Sequence, residues 1–200
     1  KHSTVNTTNE QEKTLKKLSQ LLENGIVRYK IYPQYIVDTH CDFANEFEKL
    51  FEDKGADISG TKTTYLGHQF DVTRSQKVDF KKLKEWVISK MDAEHLKDIH
   101  KTRSWCIDYH DGGHQTLHKH GPRGVSVVIF LDDQPKENKL GVLYTLDPTA
   151  DAESMYKEFR PRKGRAVIIT GGIWHGVYPA VSPRRTFVAD YKIESKTDGI

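Results

Sequence analysis

Hydrophobic positions change rhythm about halfway along the chain. In the first half they recur at helical spacing. Leu15, Leu18, Leu21 and Leu22 form one stripe, with Thr7 or Thr8 as N-cap and Gly25 as the stop. Val27, Tyr29 and Ile31 alternate as a strand that breaks near Pro33, and Tyr35 to Val37 resume an extended segment. Phe43, Phe47, Leu50 and Phe51 predict a second helix, capped by Asp38 or Thr39 and ended by Gly55, whose aromatic stripe packs into the core. Between Ala56 and Gln76 the only signal is a strand around Gly67 to Val72. Phe80, Leu83, Val87 and Met91 then predict a third helix over Asp79 to Met91, with Lys81, Lys82 and Lys84 on its solvated face.

After Lys101 the period shortens to two. Strands are predicted at Arg103 to Tyr109, Val125 to Asp132, Gly141 to Leu146, Arg165 to Thr170, Gly176 to Tyr178 and Arg185 to Ile193. Val125, Val127, Ile129 and Leu131 alternate with Ser126, Val128 and Phe130, so that strand is buried on both faces. Turn signals at Asp132-Asp133 and Gly171-Gly172 punctuate a β-sandwich or barrel. The chain therefore reads as one α+β domain. Residues 1–100 are mostly helical support, 101–193 an all-β core and 194–200 a tail.

Composition leaves this picture intact. The chain has 200 residues, 36% of them hydrophobic and 30% charged, which suits a folded protein with one core. A net charge of +3 is too weak to predict nucleic-acid binding and permits an anionic ligand. The only cysteines, Cys41 and Cys106, are far apart and read as free thiols of a reducing, cytoplasmic compartment. No apolar run has a membrane-spanning length, and no signal-peptide core opens the chain. Its start at Lys1, without methionine, reads as a truncated or processed product.

Chemistry concentrates in one run, Asp108-Tyr109-His110-Asp111-Gly112-Gly113-His114-Gln115-Thr116-Leu117-His118-Lys119-His120. His-x-His at the end of a strand puts two imidazoles on one face, a metal-ligand spacing. Three kinds of metal site share it. An amidohydrolase-type site needs a large α/β barrel, which about 90 residues of β core cannot supply. A cupin would match Gly112 and His118-x-His120 but lacks its glutamate, since Gly124 and Val125 stand there, and its second motif, since a whole strand separates Gly164 from His175.

The third kind accounts for more. Tyr109-x-x-Gly112, His118-x-His120, Pro161-x-x-Gly164-Arg-Ala-Val-Ile-Ile, His175-x-x-x-Pro179 and Arg184-x-Thr186 follow in an order that resembles the Fe(II)/2-oxoglutarate-dependent dioxygenases, in particular their prolyl-hydroxylase-like branch. The resemblance spans roughly residues 103–193, and segment 33–51 is similar to the lead-in of that branch. It implies a double-stranded β-helix (jelly-roll, cupin-like) whose open end holds a facial metal triad. His118 and His175 match the family's two histidines. Arg184, nine residues after His175, matches the anchor for the far carboxylate of 2-oxoglutarate, with Thr186 on the same strand face. Arg185 is its competitor and is expected to face outward.

Two positions depart from the family. His120 stands where an aspartate ligand is usual, so the resemblance implies a three-histidine site one charge more positive, with Asp111 or water as the alternative third ligand. A halogenase would carry a small residue there. Phe130 stands where a tyrosine often bonds the co-substrate, and Tyr109 or Tyr144 would supply that hydroxyl instead, with Tyr109 favoured by its spacing. His110 and His114 read as loop or supporting residues, and His40, His68, His95 and His100 as surface or core. Trp105 and Trp174 read as core or as walls of a substrate pocket. Arg160, Arg162, Lys163 and Arg165 read as a solvated loop rather than a nucleic-acid surface.

The implied activity is hydroxylation of an unactivated C–H bond, with Fe(II), O2 and 2-oxoglutarate consumed to succinate and CO2. The substrate would be a peptidyl residue such as proline, or a small metabolite. A three-histidine cupin-type dioxygenase without 2-oxoglutarate and a non-catalytic metal-binding β-sandwich stand as rivals. Arg184 separates them, since neither rival needs it.

Overall fold

The computed structural model describes residues 34–91 and 96–195. All of them belong to the compact unit Tyr32–Ile200 into which the chain divides after Ile31. The expected first helix and the strand at Val27 to Ile31 lie outside the described residues, as do His95 and the chain beyond Ser195; the first two residues of the expected tail, Glu194 and Ser195, belong instead to the last strand.

Nine strands form one antiparallel system: β1 (Ile36–His40), β2 (Thr64–Asp71), β3 (Leu96–His118), β4 (Gly124–Phe130), β5 (Leu143–Leu146), β6 (Tyr156–Phe159), β7 (Arg165–Thr170), β8 (Trp174–Val177) and β9 (Arg184–Ser195). Their order is β1-β7-β4-β9-β3-β8-β5-β6, with β2 on β3. The long β3 makes this a jelly roll, the double-stranded β-helix expected from the motifs. Its first part pairs with β9, Tyr109 opposite Arg184. Its last part pairs with β8, His118 opposite His175.

Period-two alternation sorts the strands onto two cores. Val125, Val127 and Ile129 of β4 join Phe187 and Ala189 of β9 in one, while Val128, Phe130 and Val188 join Leu143, Phe159 and Val177 in the other. The first core is roofed by a 3₁₀ helix, Ala44–Phe51, and by α1, Phe80–Lys90. Phe47 stacks on Phe187 with ring centroids 4.2 Å apart. Asp79 caps α1 by accepting from the Lys82 N–H. Leu83 and Val87 bury their side chains beneath it, each worth about 1.5–3 kcal/mol. The second core lies between the two layers, and its open end holds the site.

Several elements correct the sequence reading. Asp38 and Thr39 are not helix caps: β1 finds a ladder partner in β7, with Asp38 opposite Val167, and the Asp38 carboxylate takes both Arg165 Nε and Nη2 at 2.8 and 2.7 Å. The following helix is 3₁₀ and starts without a side-chain cap at Phe43. Among the described residues before 100, two strands and the start of β3 accompany the helices, so this support is less helical than its pattern suggested. Strand β6 was not anticipated; three of its four residues are exposed at the sheet edge, which erases alternation.

The strand predicted to end at Tyr109 continues through Gly112-Gly113, and β3 reaches His118. Gly112 adopts φ +78° and turns the strand from one layer to the other. The corner is held by Gly112 N–H donating to Ala180 O at 2.9 Å and Ala180 N–H donating to Gly113 O at 2.8 Å. His110 and His114 are therefore strand residues, not loop residues. No helix among the described residues is long and apolar enough to cross a membrane. Cys41 and Cys106 are free and buried, and burial pushes both thiols above their ordinary range.

Candidate metal centre

His118, His120 and His175 converge, each offering a ring nitrogen within 4.8 Å of the others. Register explains the first contact: His118 at the end of β3 sits opposite His175 on β8, with ring centroids 4.3 Å apart. His120 follows two residues on and places its ring 5.1 Å from that of His175.

The hydrogen bonds select one tautomer throughout. His118 Nδ1 lies 2.8 Å from Thr116 O, and His175 Nδ1 lies 3.1 Å from Ile173 O. A carbonyl only accepts, so both Nδ1 atoms carry the proton and leave Nε2 as the lone pair. His120 Nδ1 lies 2.8 Å from Ser126 Oγ and 3.2 Å from Asp190 Oδ2. Ser126 spends its own hydrogen on Asp190 Oδ1 at 2.6 Å, so His120 Nδ1 is the donor and its Nε2 is also free. Burial lowers the His118 pKa, and burial with the two neighbouring rings brings His175 down to about 3. His118 and His175 are thus neutral imidazoles with free Nε2 atoms, the form that a divalent transition metal requires.

Asp190 is the residue that motif reasoning missed. Burial alone would raise its pKa, but the hydrogen bond and charge of His120, the Ser126 hydroxyl and Arg103 hold it below the usual carboxylate range. Its Oδ2 accepts from Arg103 Nε at 3.0 Å as well. Alternation along β9 carries the signal: Arg184, Thr186, Val188 and Asp190 share one face, so the Arg-x-Thr motif extends by two further steps to a carboxylate. Asp111 does not enter the site, because its Oδ1 accepts the Ser182 N–H at 2.8 Å.

Behind the triad lies a narrow chamber walled by Ile107, Val128, Leu143, Val177 and Val188, with Arg184 and Thr186 also lining it. Arg184 is 1% exposed. One Nη contacts Thr186 Oγ1 and the other donates to Gly141 O at 3.1 Å, while Nε is buried without a partner. No carboxylate reaches ion-pair distance of it among the described residues. The rings of Tyr109 and Phe130 flank the guanidinium at 4.6 and 5.1 Å, which offsets part of the cost of burying the charge. Phe130 thus faces the arginine without a hydroxyl. Arg185 is tied instead to Asp132, Nε to Oδ2 at 3.0 Å and Nη2 to Oδ1 at 2.8 Å.

Tyr109 lines the chamber; Tyr144 does not. On β5 it is Leu143 that points inward, so Tyr144 falls on the opposite face, its ring 4.6 Å from Tyr178, and its hydroxyl occupies the space a side chain on Gly176 would need. Trp105 walls the chamber, and Trp174 supports Lys119. His114 stacks on Tyr65, His68 bonds Gly55 O and His40 lies beside Gly164. A second cluster, Asp98, His100 and Glu194, is a surface ion-pair network closed by Lys84 and Lys97. Arg160 and Lys163 bond Pro135 O and Glu48 from the loop, whereas Arg165 opens β7 and pairs with Asp38 of β1.

No family model matches the chain, and no curated protein matches it in sequence. Solved structures do match in fold. A Pseudomonas putida prolyl-4-hydroxylase superposes at a TM-score of 0.57 with 15% identity over 80% of this chain and 94% of its own. A Trichoplax adhaerens prolyl hydroxylase, solved with a hypoxia inducible factor peptide fragment, gives 0.56 with 16% identity over 94% of each chain. HygX from Streptomyces hygroscopicus, solved with nickel, 2-oxoglutarate and hygromycin B, gives 0.61 with 10% identity over 80% and 82%. The jelly roll is thus the fold of prolyl hydroxylases and 2-oxoglutarate/Fe(II) oxygenases.

Proposed function

We propose that this chain is an Fe(II)- and 2-oxoglutarate-dependent oxygenase that hydroxylates an unactivated C–H bond. One observation carries the reading: the buried, carboxylate-free Arg184 shares an enclosed chamber with three converging histidines. A structural metal site has no use for such an arginine, and a dioxygenase that binds no dicarboxylate has none either.

His118, His120 and His175 would hold iron through Nε2, and their Nδ1 partners fix each ring before metal arrives. Bound iron, with O2 and 2-oxoglutarate, supplies the oxidative decarboxylation to succinate and CO2 that drives oxygen insertion. The residues do the rest. Arg184 Nε and Nη, Thr186 Oγ1 and the Tyr109 hydroxyl receive the far carboxylate, replacing water with fixed donors. Ile107, Val128, Leu143 and Val188 flank its methylenes and keep water from the metal side. Asp190 positions His120 and restores, one bond further out, the negative charge absent among the ligands.

The substrate is a peptidyl residue such as proline or a small molecule; the fold neighbours include proteins of both habits. Two buried free thiols accord with a reducing, cytoplasmic compartment. Anaerobic addition of Fe(II) and 2-oxoglutarate should produce a weak visible charge-transfer band, absent in Arg184→Ala, and air should then release succinate. No band and no succinate would refute the reading.

A further inference from the structure

On the solvent side of the triad, His118 and His120 open into a second cavity of about 890 Å³. That volume suits a small molecule. Its wall carries Lys62, Arg103, Lys119, Arg123 and Lys192 against a single carboxylate, Asp190. Asp190 is already engaged by His120, Ser126 and Arg103. Arg103 balances that carboxylate, so Lys62, Lys119 and Lys192 alone leave a surplus of three positive charges at one cavity, in a chain whose total is +3.

Several lysines elsewhere are neutralised. Lys77, Lys82, Lys97, Lys139 and Lys163 each pair with a carboxylate. Lys62, Lys119 and Lys192 join no ion pair with a described residue. Two of the cavity's cations are steadied by aromatic faces instead: Arg103 lies 4.6 Å over Trp105, and Lys119 lies 4.9 Å over Trp174. Trp105 lines the same wall and is 7% exposed. Arg103 and His120 contact the same Asp190 oxygen, so the guanidinium stands immediately beside a metal ligand.

We propose that this cavity takes a small molecule bearing a phosphate or carboxylate, held by Arg103, Lys119 and Lys192 with its reactive carbon turned to the metal. The proposal rests on the oxygenase reading of the triad. Surplus positive charge in a concave, partly apolar wall concentrates anions and strengthens with lower salt.

The full-length protein, loaded with Zn(II) and saturated with 2-oxoglutarate to block Arg184, is titrated calorimetrically with matched probes. These are phenyl phosphate against phenol, phenylacetate against phenylacetamide, and hexaglutamate. At least one small anion should bind about tenfold or more tighter than its neutral mate, with affinity falling as salt rises. The two pairs tell phosphate from carboxylate. Lys119→Gln/Lys192→Gln should abolish the advantage while 2-oxoglutarate affinity is unchanged. Equal affinity within both pairs, or no binding by either small anion, overturns the proposal. Tight binding by hexaglutamate alone also overturns it, in favour of an acidic peptide. Anion preference in a protein that fails to bind 2-oxoglutarate would leave the cavity standing and sink the oxygenase reading instead.

Discussion

Asp190 Oδ2 stands 3.2 Å from Nδ1 of His120, so the carboxylate missing from the ligand set is present one imidazole away. A carboxylate behind a ligating histidine fixes its tautomer and raises its basicity. Asp190→Ala should weaken Co(II) affinity by about 10–100-fold, and Asp190→Asn by less, because the amide oxygen still accepts from Nδ1. Co(II) titration followed by its visible spectrum measures both. Equal affinity in all three proteins would make Asp190 a bystander.

If Arg184 anchors 2-oxoglutarate as proposed, it is a functional group kept at the expense of stability. A buried guanidinium with no carboxylate costs more than an apolar side chain of similar length. Arg184→Met should therefore raise the Tm of the metal-free protein by a few degrees, about 2–4 °C for each kcal/mol gained, while removing 2-oxoglutarate binding. A fall in Tm would mean that its bonds to Thr186 and Gly141 outweigh the buried charge.

His175 should make the metal-free protein acid-sensitive. Its folded pKa of about 3 lies below the ordinary value of 6.5, so the unfolded chain binds the extra proton first. Stability is complete above pH 6.5 and is lost as pH falls toward 3, approaching about 1.4 kcal/mol per pH unit. His118, shifted in the same direction, adds to the slope. Urea midpoints at pH 7 and pH 5 should converge in His175→Phe; an unchanged difference would assign the slope elsewhere.

The corner of β3 tolerates no side chain at Gly113. A Cβ there would meet Leu66 O at 2.4 Å and His110 O at 2.8 Å, both backbone atoms that cannot swing away. Gly113→Ala should destabilise by about 2 kcal/mol and weaken metal binding with it, since His118 lies on the strand beyond the corner. Urea denaturation and Co(II) titration test the two effects separately.

What could be read from the chain follows from what alternation can encode. Strands β4 and β7 announced themselves because both of their faces are buried, and Arg184 was separable from Arg185 by parity alone. His118, His120 and His175 carried their own spacing. Asp190 was as legible as Thr186 by parity, but it lies outside any familiar motif. Tyr144, the less favoured of the two tyrosines, falls on the outer face of β5, which no motif specified. The continuity of β3 was hidden by Gly112-Gly113, which reads as a turn in sequence and acts as a bend between two layers. Strand β1 runs past the extended segment predicted at Tyr35 to Val37 as far as His40, because β7, distant in sequence, supplies its ladder.

Strand β3 also governs the order in which the molecule can assemble. The pairings Tyr109–Arg184 and His118–His175 each join residues from opposite ends of the β core, so the triad and the arginine come together only after the costly long loops have closed. Metal held at the proposed site would therefore arrive too late to act as a nucleus, and would slow escape from the native state rather than hasten the approach to it.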